Sequence, residues 1–198
     1  MRKFCSFLLT AFFLAAGLMG CGSSDSPVTE TTIEVKKNGN VIHTIIEDFS
    51  EDYYDLNALQ NTIQSACDNY NATAGEDSVT VGEAGEAEGI LTVAMTYKDS
   101  SAYAGFNRQA MFSGTVKDAY NAGYDLNVTL LSAQEEGNTI GKAEILGMGE
   151  KHIVIIREAV NVKVWNKILY YSEDVVQTQD AKTVTVTDGD MLTYIIFE

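Results

Sequence analysis

The stretch TIEVKKNGNVIHTII (residues 32–46) decides the fold. Polar and apolar residues alternate on both sides of Asn38-Gly39, which is the period of a half-buried strand. Asn-Gly between two such runs predicts a β-hairpin, with both turn residues at positive φ in a type I′ geometry. Toward the C-terminus the period changes. Leu56, Leu59, Ile63, Cys67 and Tyr70 recur at three or four residues and predict a helix over 52–70 with one apolar stripe. Asp52 or Asp55 can cap its start, and the run from Asn71 to Gly75 stops it. Ser78–Val81 and Ile90–Tyr97 then predict a second hairpin across a Gly/Glu/Ala loop. Short helices are expected at Ser100–Phe106 behind Asp99, from the Thr115/Asp118 capping box to Gly123, and at Thr139–Met148, with a strand at Leu126–Leu131. From Lys151 onward the chain reads almost entirely as strand: His152–Arg157, Val160–Val164, Ile168–Tyr171, Thr183–Thr187 and Met191–Phe197. The expected fold class is α+β, with antiparallel hairpins, a strand-rich C-terminal half and two to four helices in the middle. No linker divides residues 31–198, so a single globular domain is expected there.

Composition agrees. Of 198 residues, 45% are hydrophobic and 21% charged, with one proline, which fits a globular chain and excludes a collagen-like one. Thirteen Lys and Arg stand against 28 Asp and Glu. Without Arg2 and Lys3 the net charge is −17, which leaves no electrostatic footprint for nucleic acid or for an anionic lipid surface.

The N-terminus has a different grammar. Arg2 and Lys3 precede an uncharged apolar run from Phe4 to Met19, shorter than the roughly 20 residues that span a bilayer, and this reads as a signal peptide over residues 1–20. Leu18-Met19-Gly20-Cys21 resembles the bacterial lipobox, the signal peptidase II box. The resemblance implies cleavage before Cys21 and a diacylglycerol on its thiol, the only covalent group expected and the only cofactor-like one. Two acyl chains anchor stably where one is marginal. Residues 21–30 then read as the lipidated cysteine and a flexible tether. Cys5 leaves with the signal peptide and Cys21 takes the lipid, so Cys67 remains alone and reads as a small buried hydrophobe.

The strings GTVKDAYNAGYDLNVTL (114–130), EILGMGEKHIVIIREAVNVKVWNKILYYSEDV (144–175) and IEVKKNGNVIHTIIEDFSEDYYDLNALQ (33–60) are similar to a family of small lipoproteins of Gram-positive gut anaerobes. The resemblance implies a location and no activity.

Chemistry is scarce. A Ser or Cys nucleophile needs a base within reach, and His43 and His152 are the only histidines, both in strand patterns. Four zinc ligands with Cys or His prominent are not available. Carboxylates are abundant at Glu47-Asp48, Glu51-Asp52, Glu135-Glu136 and Asp188-Gly189-Asp190, where helix capping and turns compete with a hydrolytic pair or a calcium site. Tyr53-Tyr54 and Tyr170-Tyr171 are candidate binding residues, because exposed Tyr joins apolar area to a hydroxyl; in each pair one ring is expected to face the core. The expectation is a non-catalytic binding module, held by its lipid on the outer face of the cytoplasmic membrane, that contacts an envelope protein, peptide or glycan and no nucleic acid. An envelope hydrolase using a carboxylate pair is the alternative.

Overall fold

The computed structural model describes residues 29–82, 84–178 and 180–198; Leu18, Met19, Gly20, Cys21 and residues 22–28 lie outside the described residues. The first hairpin forms where its alternation places it. β1 (Thr32–Val35) and β2 (Val41–Asp48) pair antiparallel, with Val35 opposite Val41. Its turn differs from expectation. Only Gly39 has positive φ (93°), Gly39 N donates to Lys36 O at 2.9 Å, and Lys36 N donates to Asn40 O at 2.8 Å. This is a type I turn closed by a glycine bulge. A type I′ turn occurs instead at Glu88-Gly89, where both φ values are positive (56° and 78°). It joins β4 (Gly85–Ala87) to β5 (Ile90–Tyr97), so part of the supposed loop is a strand.

α1 (Leu56–Ala74) starts at Asp55, whose carboxylate accepts from Ala58 N at 3.0 Å, and stops at Gly75. Its stripe packs on the core, with Cys67 buried as read. β3 (Val79–Val81) pairs with the far end of β5. Between β3 and β4 the Gln60 side chain bridges the break, donating to Gly82 O at 3.2 Å and accepting from Ala84 N at 2.7 Å. α2 (Ser100–Asn107) is capped by Asp99. It is followed by β6 (Met111–Thr115), which the sequence pattern missed, and by α3 (Val116–Asn121) behind the reciprocal Thr115/Asp118 box. Of Leu126–Leu131 only the end is strand, in β7 (Leu130–Ser132). The helix expected at Thr139–Met148 splits into β8 (Thr139–Ile140) and α4 (Lys142–Gly147). β9 (His152–Ile156), β10 (Asn161–Val164), β11 (Ile168–Tyr171), β12 (Val175–Gln177), β13 (Thr183–Val186) and β14 (Thr193–Phe197) complete the chain.

The fold is α+β, in two mostly antiparallel sheets. The first has the order β12-β13-β10-β1-β2-β5-β3, with β4 beside β5; the second has the order β6-β9-β14-β11-β7-β8. β1 and β10 run parallel, an exception to the antiparallel expectation. β9 and β14 explain the C-terminal hydrophobicity. Val154, Ile156, Ile195 and Phe197 point into one core, shared with the first sheet, α1 and α2. Ile153, Ile155, Tyr194 and Ile196 point into a second, against α3 and α4. A strand buried on both faces reads as a continuous apolar run rather than as an alternation.

Candidate functional site

Beyond β2 the chain leaves the sheet at Asp48 and reaches α1 through Phe49–Asp55. Local hydrogen bonds shape this link. Asp48 Oδ1 accepts from Ser50 N at 2.9 Å and Ser50 Oγ at 2.6 Å, which holds the exposed Asp48 carboxyl below its usual pKa. Phe49 N donates to Gly89 O at 2.7 Å, and Tyr54 N to Glu51 O at 3.1 Å. Phe49 is half-buried against the first core. Tyr54 stacks on it at 4.7 Å with 17° between rings, and Tyr53 meets Tyr54 edge-on at 4.8 Å. Tyr53 is 72% and Tyr54 43% exposed. The expectation that one ring of this pair faces the core is therefore corrected: both project outward, and Phe49 supplies the root. The Tyr53 hydroxyl, through hydrogen bonding and then charge, raises the Tyr54 phenol above its ordinary pKa; Glu51 and Asp48 add to the rise.

Tyr170 and Tyr171 behave differently. They lie on β11, between β14 and β7, and point to opposite faces of the second sheet, Tyr170 against the second core and Tyr171 against the first. Both are half-buried, and among the described residues no ring contact links them to Tyr53 or Tyr54. Strand alternation with a core on each face packs each ring partly against apolar neighbours, so neither is as exposed as Tyr53 or Tyr54.

Carboxylates flank the tyrosines. Glu47 and Asp48 are exposed at the end of β2, Glu51, Asp52 and Asp55 on the link, and Glu86 and Glu88 on the neighbouring hairpin. Asp55 caps the helix and Asp48 closes a turn, but Glu47, Glu51 and Asp52 pair with no cation among the described residues. The wider context has one sign: from Asn38 to Tyr97 the sequence holds no Lys or Arg and eleven Asp or Glu. This segregation was readable in the sequence but is visible only when charge is counted by segment. Beside the patch, a cavity of about 410 Å³ is lined by Leu56, Asn57, Gln60, Val81, Gly82 and Ala84. Phe49, the cavity and the exposed Ile90 had no distinguishing signal in the sequence.

The other candidates separate in space. His43 lies under the first sheet, 8% exposed, with its ring 5.7 Å from that of Tyr103 and no hydrogen-bond partner on either nitrogen. Burial lowers its pKa, and Glu158 partly opposes this. Tyr103 Oη donates to Glu158 Oε2 at 2.6 Å. Burial, with that bond, drives the Tyr103 phenol far up, and burial pushes Tyr97 up to about 12. His152 instead packs against Trp165 and Phe197. The two histidines thus have separate aromatic surroundings. Glu135 accepts from Asn138 Nδ2, and Glu136 is exposed. In Asp188-Gly189-Asp190, Asp188 Oδ1 accepts from Asp190 N at 2.8 Å, while Gly189 packs on the Glu158–Ala159 backbone so closely that a Cβ would stand 2.9 Å from Ala159 N. A turn and a close approach account for this motif. Among the described residues no three His, Cys, Asp or Glu side chains are placed to hold a metal.

The chain matches no family model, no curated protein and no solved structure. What the site can do therefore rests on its own chemistry: a rooted pair of exposed phenol rings beside carboxylates, of which Glu47, Glu51 and Asp52 pair with no cation among the described residues.

Proposed function

We propose that this protein is a lipid-anchored, non-catalytic binding module of the cell envelope, exported by its signal peptide and held on the outer face of the cytoplasmic membrane through Cys21. The observation that carries the binding reading is the exposed Tyr53/Tyr54 pair, stacked on Phe49 and ringed by carboxylates. Solvent-exposed aromatic rings that present both apolar area and a hydroxyl are enriched where proteins meet partners. Its position suits an anchored protein. Thr31 Oγ1 and Ile46 N–H bond at 3.0 Å, which pins the start of β1 beside the end of β2, two residues from Asp48. Thr31, where the chain enters the first sheet, and the tyrosine surface thus share one end of that sheet. Nine residues separate Cys21 from Thr31, a reach of at most about 35 Å when fully extended. A partner at that surface would be a membrane-proximal envelope protein, peptide or glycan.

The test uses the lipid-free chain from residue 22 on a panel of glycoside and peptide substrates, alongside binding measurements. Saturable binding without turnover is the expected result. Turnover that disappears when a single carboxylate is changed to its amide would overturn the reading in favour of an envelope hydrolase.

A further inference from the structure

We infer that the Phe49–Tyr54 surface takes a lysine- or arginine-bearing peptide segment. The inference rests on the binding-module reading and names the partner's chemistry. Three features converge on it. A cation is drawn to the face of a tyrosine ring, and Tyr53 and Tyr54 both project rings into solvent. Glu47, Glu51 and Asp52 are exposed nearby and pair with no cation among the described residues, so their oxygens are open to a cationic donor. The segment from Asn38 to Tyr97, which runs the length of β2 and β5, carries eleven acids and no Lys or Arg, and seven of those acids (Glu47, Asp48, Glu51, Asp52, Asp55, Glu86 and Glu88) lie on the end of β2, the link to α1 and the β4–β5 hairpin, so their field draws a cationic segment toward the rings and repels anionic polymers.

Shape adds to charge. Asp55 lies between Tyr54 and Leu56, and Leu56 opens the cavity of about 410 Å³ between α1 and the β3–β4 edge. Leu56 and Val81 give it apolar wall, while the Gln60 amide is already fixed to Gly82 and Ala84. A long basic side chain carries an apolar stem below a charged head, and can lay the stem along Leu56 and Val81 while the head stays in water toward the carboxylates. A neutral sugar would use the rings but draw nothing from a sixty-residue stretch without a base.

An octalysine peptide is the probe, titrated into the lipid-free chain from residue 22 at two salt concentrations with backbone amide chemical shifts as the readout. Shifts should concentrate at 47–56 and 86–90, and affinity should fall markedly between 50 and 300 mM salt. Tyr53→Ser with Tyr54→Ser should weaken binding about five- to ten-fold, with the fold retained as judged by unchanged amide shifts away from 47–56. Glu51→Gln with Asp52→Asn should weaken it more than Glu136→Gln with Glu173→Gln, which changes net charge equally on the β7–β8 and β11–β12 loops. Equal losses from the two charge pairs would reduce the effect to net charge and overturn the inference. So would salt-insensitive binding of a neutral chito-oligosaccharide that depends on the tyrosines while octalysine shifts nothing. In either case the binding-module reading would stand; turnover of a substrate would instead remove that reading.

Discussion

Replacing His43 by leucine should stabilise the protein. The imidazole is 8% exposed and faces Met95 across β5, Ile33 across β1 and the Tyr103 ring from α2, with the Glu158 carboxylate acting on it as a charge. Neither ring nitrogen is hydrogen-bonded. A buried polar group without a partner costs about 1–3 kcal/mol, and an apolar side chain of similar volume removes that cost. Some ring contact with Tyr103 is lost, so the net gain expected at pH 7.5 is about 1 kcal/mol. The gain should grow in acid. Burial holds the folded-state pKa below 6.5, so between that lowered value and 6.5 the unfolded chain binds a proton that the folded chain does not. Stability contributed by neutral His43 is complete above pH 6.5 and is lost as pH falls toward the lowered value, with a slope of up to about 1.4 kcal/mol per pH unit. Urea unfolding of wild type and His43→Leu at pH 7.5 and pH 5.5 measures both effects. The difference between the proteins should widen at pH 5.5. A loss of stability in the variant at pH 7.5, or a difference that does not change with pH, would show that His43 has a partner and refute the reasoning.

Cys21→Ala should abolish incorporation of labelled palmitate in cells, and incorporation equal to wild type would contradict the lipobox reading. Gly189→Ala should destabilise by about 1–3 kcal/mol, because its Cβ would meet Ala159 N at 2.9 Å with only backbone to yield, and a melting temperature within a degree of wild type would contradict that packing. Thermal unfolding should be unchanged by EDTA and by reductant, since Cys67 is buried and is the one cysteine among the described residues, and Asp188 is held by the backbone of its own turn; a drop of several degrees with EDTA alone would restore a calcium site.

Legibility followed locality. The β1–β2 hairpin, α1 and the caps at Asp55, Asp99 and Thr115 depend on residues within a few positions of one another, and the pattern reads them closely. β4 was hidden because Glu88 takes positive φ in a turn that favours Asn or Gly, and β6 because MFSGT alternates poorly. The parallel β1–β10 pair joins segments some 130 residues apart, which no local pattern encodes. At the surface, Tyr53 and Tyr54 stood out from composition, whereas their root on Phe49 and the cavity beside Leu56 arise only from tertiary packing. Tyr170 and Tyr171 carried the same signal as the first pair. They are less exposed because β11 has a core on each face, a property of the second sheet rather than of the dipeptide.

The most direct test places a photo-crosslinking residue at Tyr53, and separately at Tyr120, in the lipidated protein in intact cells. Both positions are well exposed, at 72% and 56%, on different parts of the molecule, Tyr120 on α3 against the second core. A discrete adduct from position 53 and none from position 120 is expected, with a Lys- or Arg-rich segment at the crosslinked site of the partner and reduced yield when salt is raised before irradiation. An adduct from position 120 with none from position 53, or one at position 53 whose partner segment is acidic or apolar, would contradict the account.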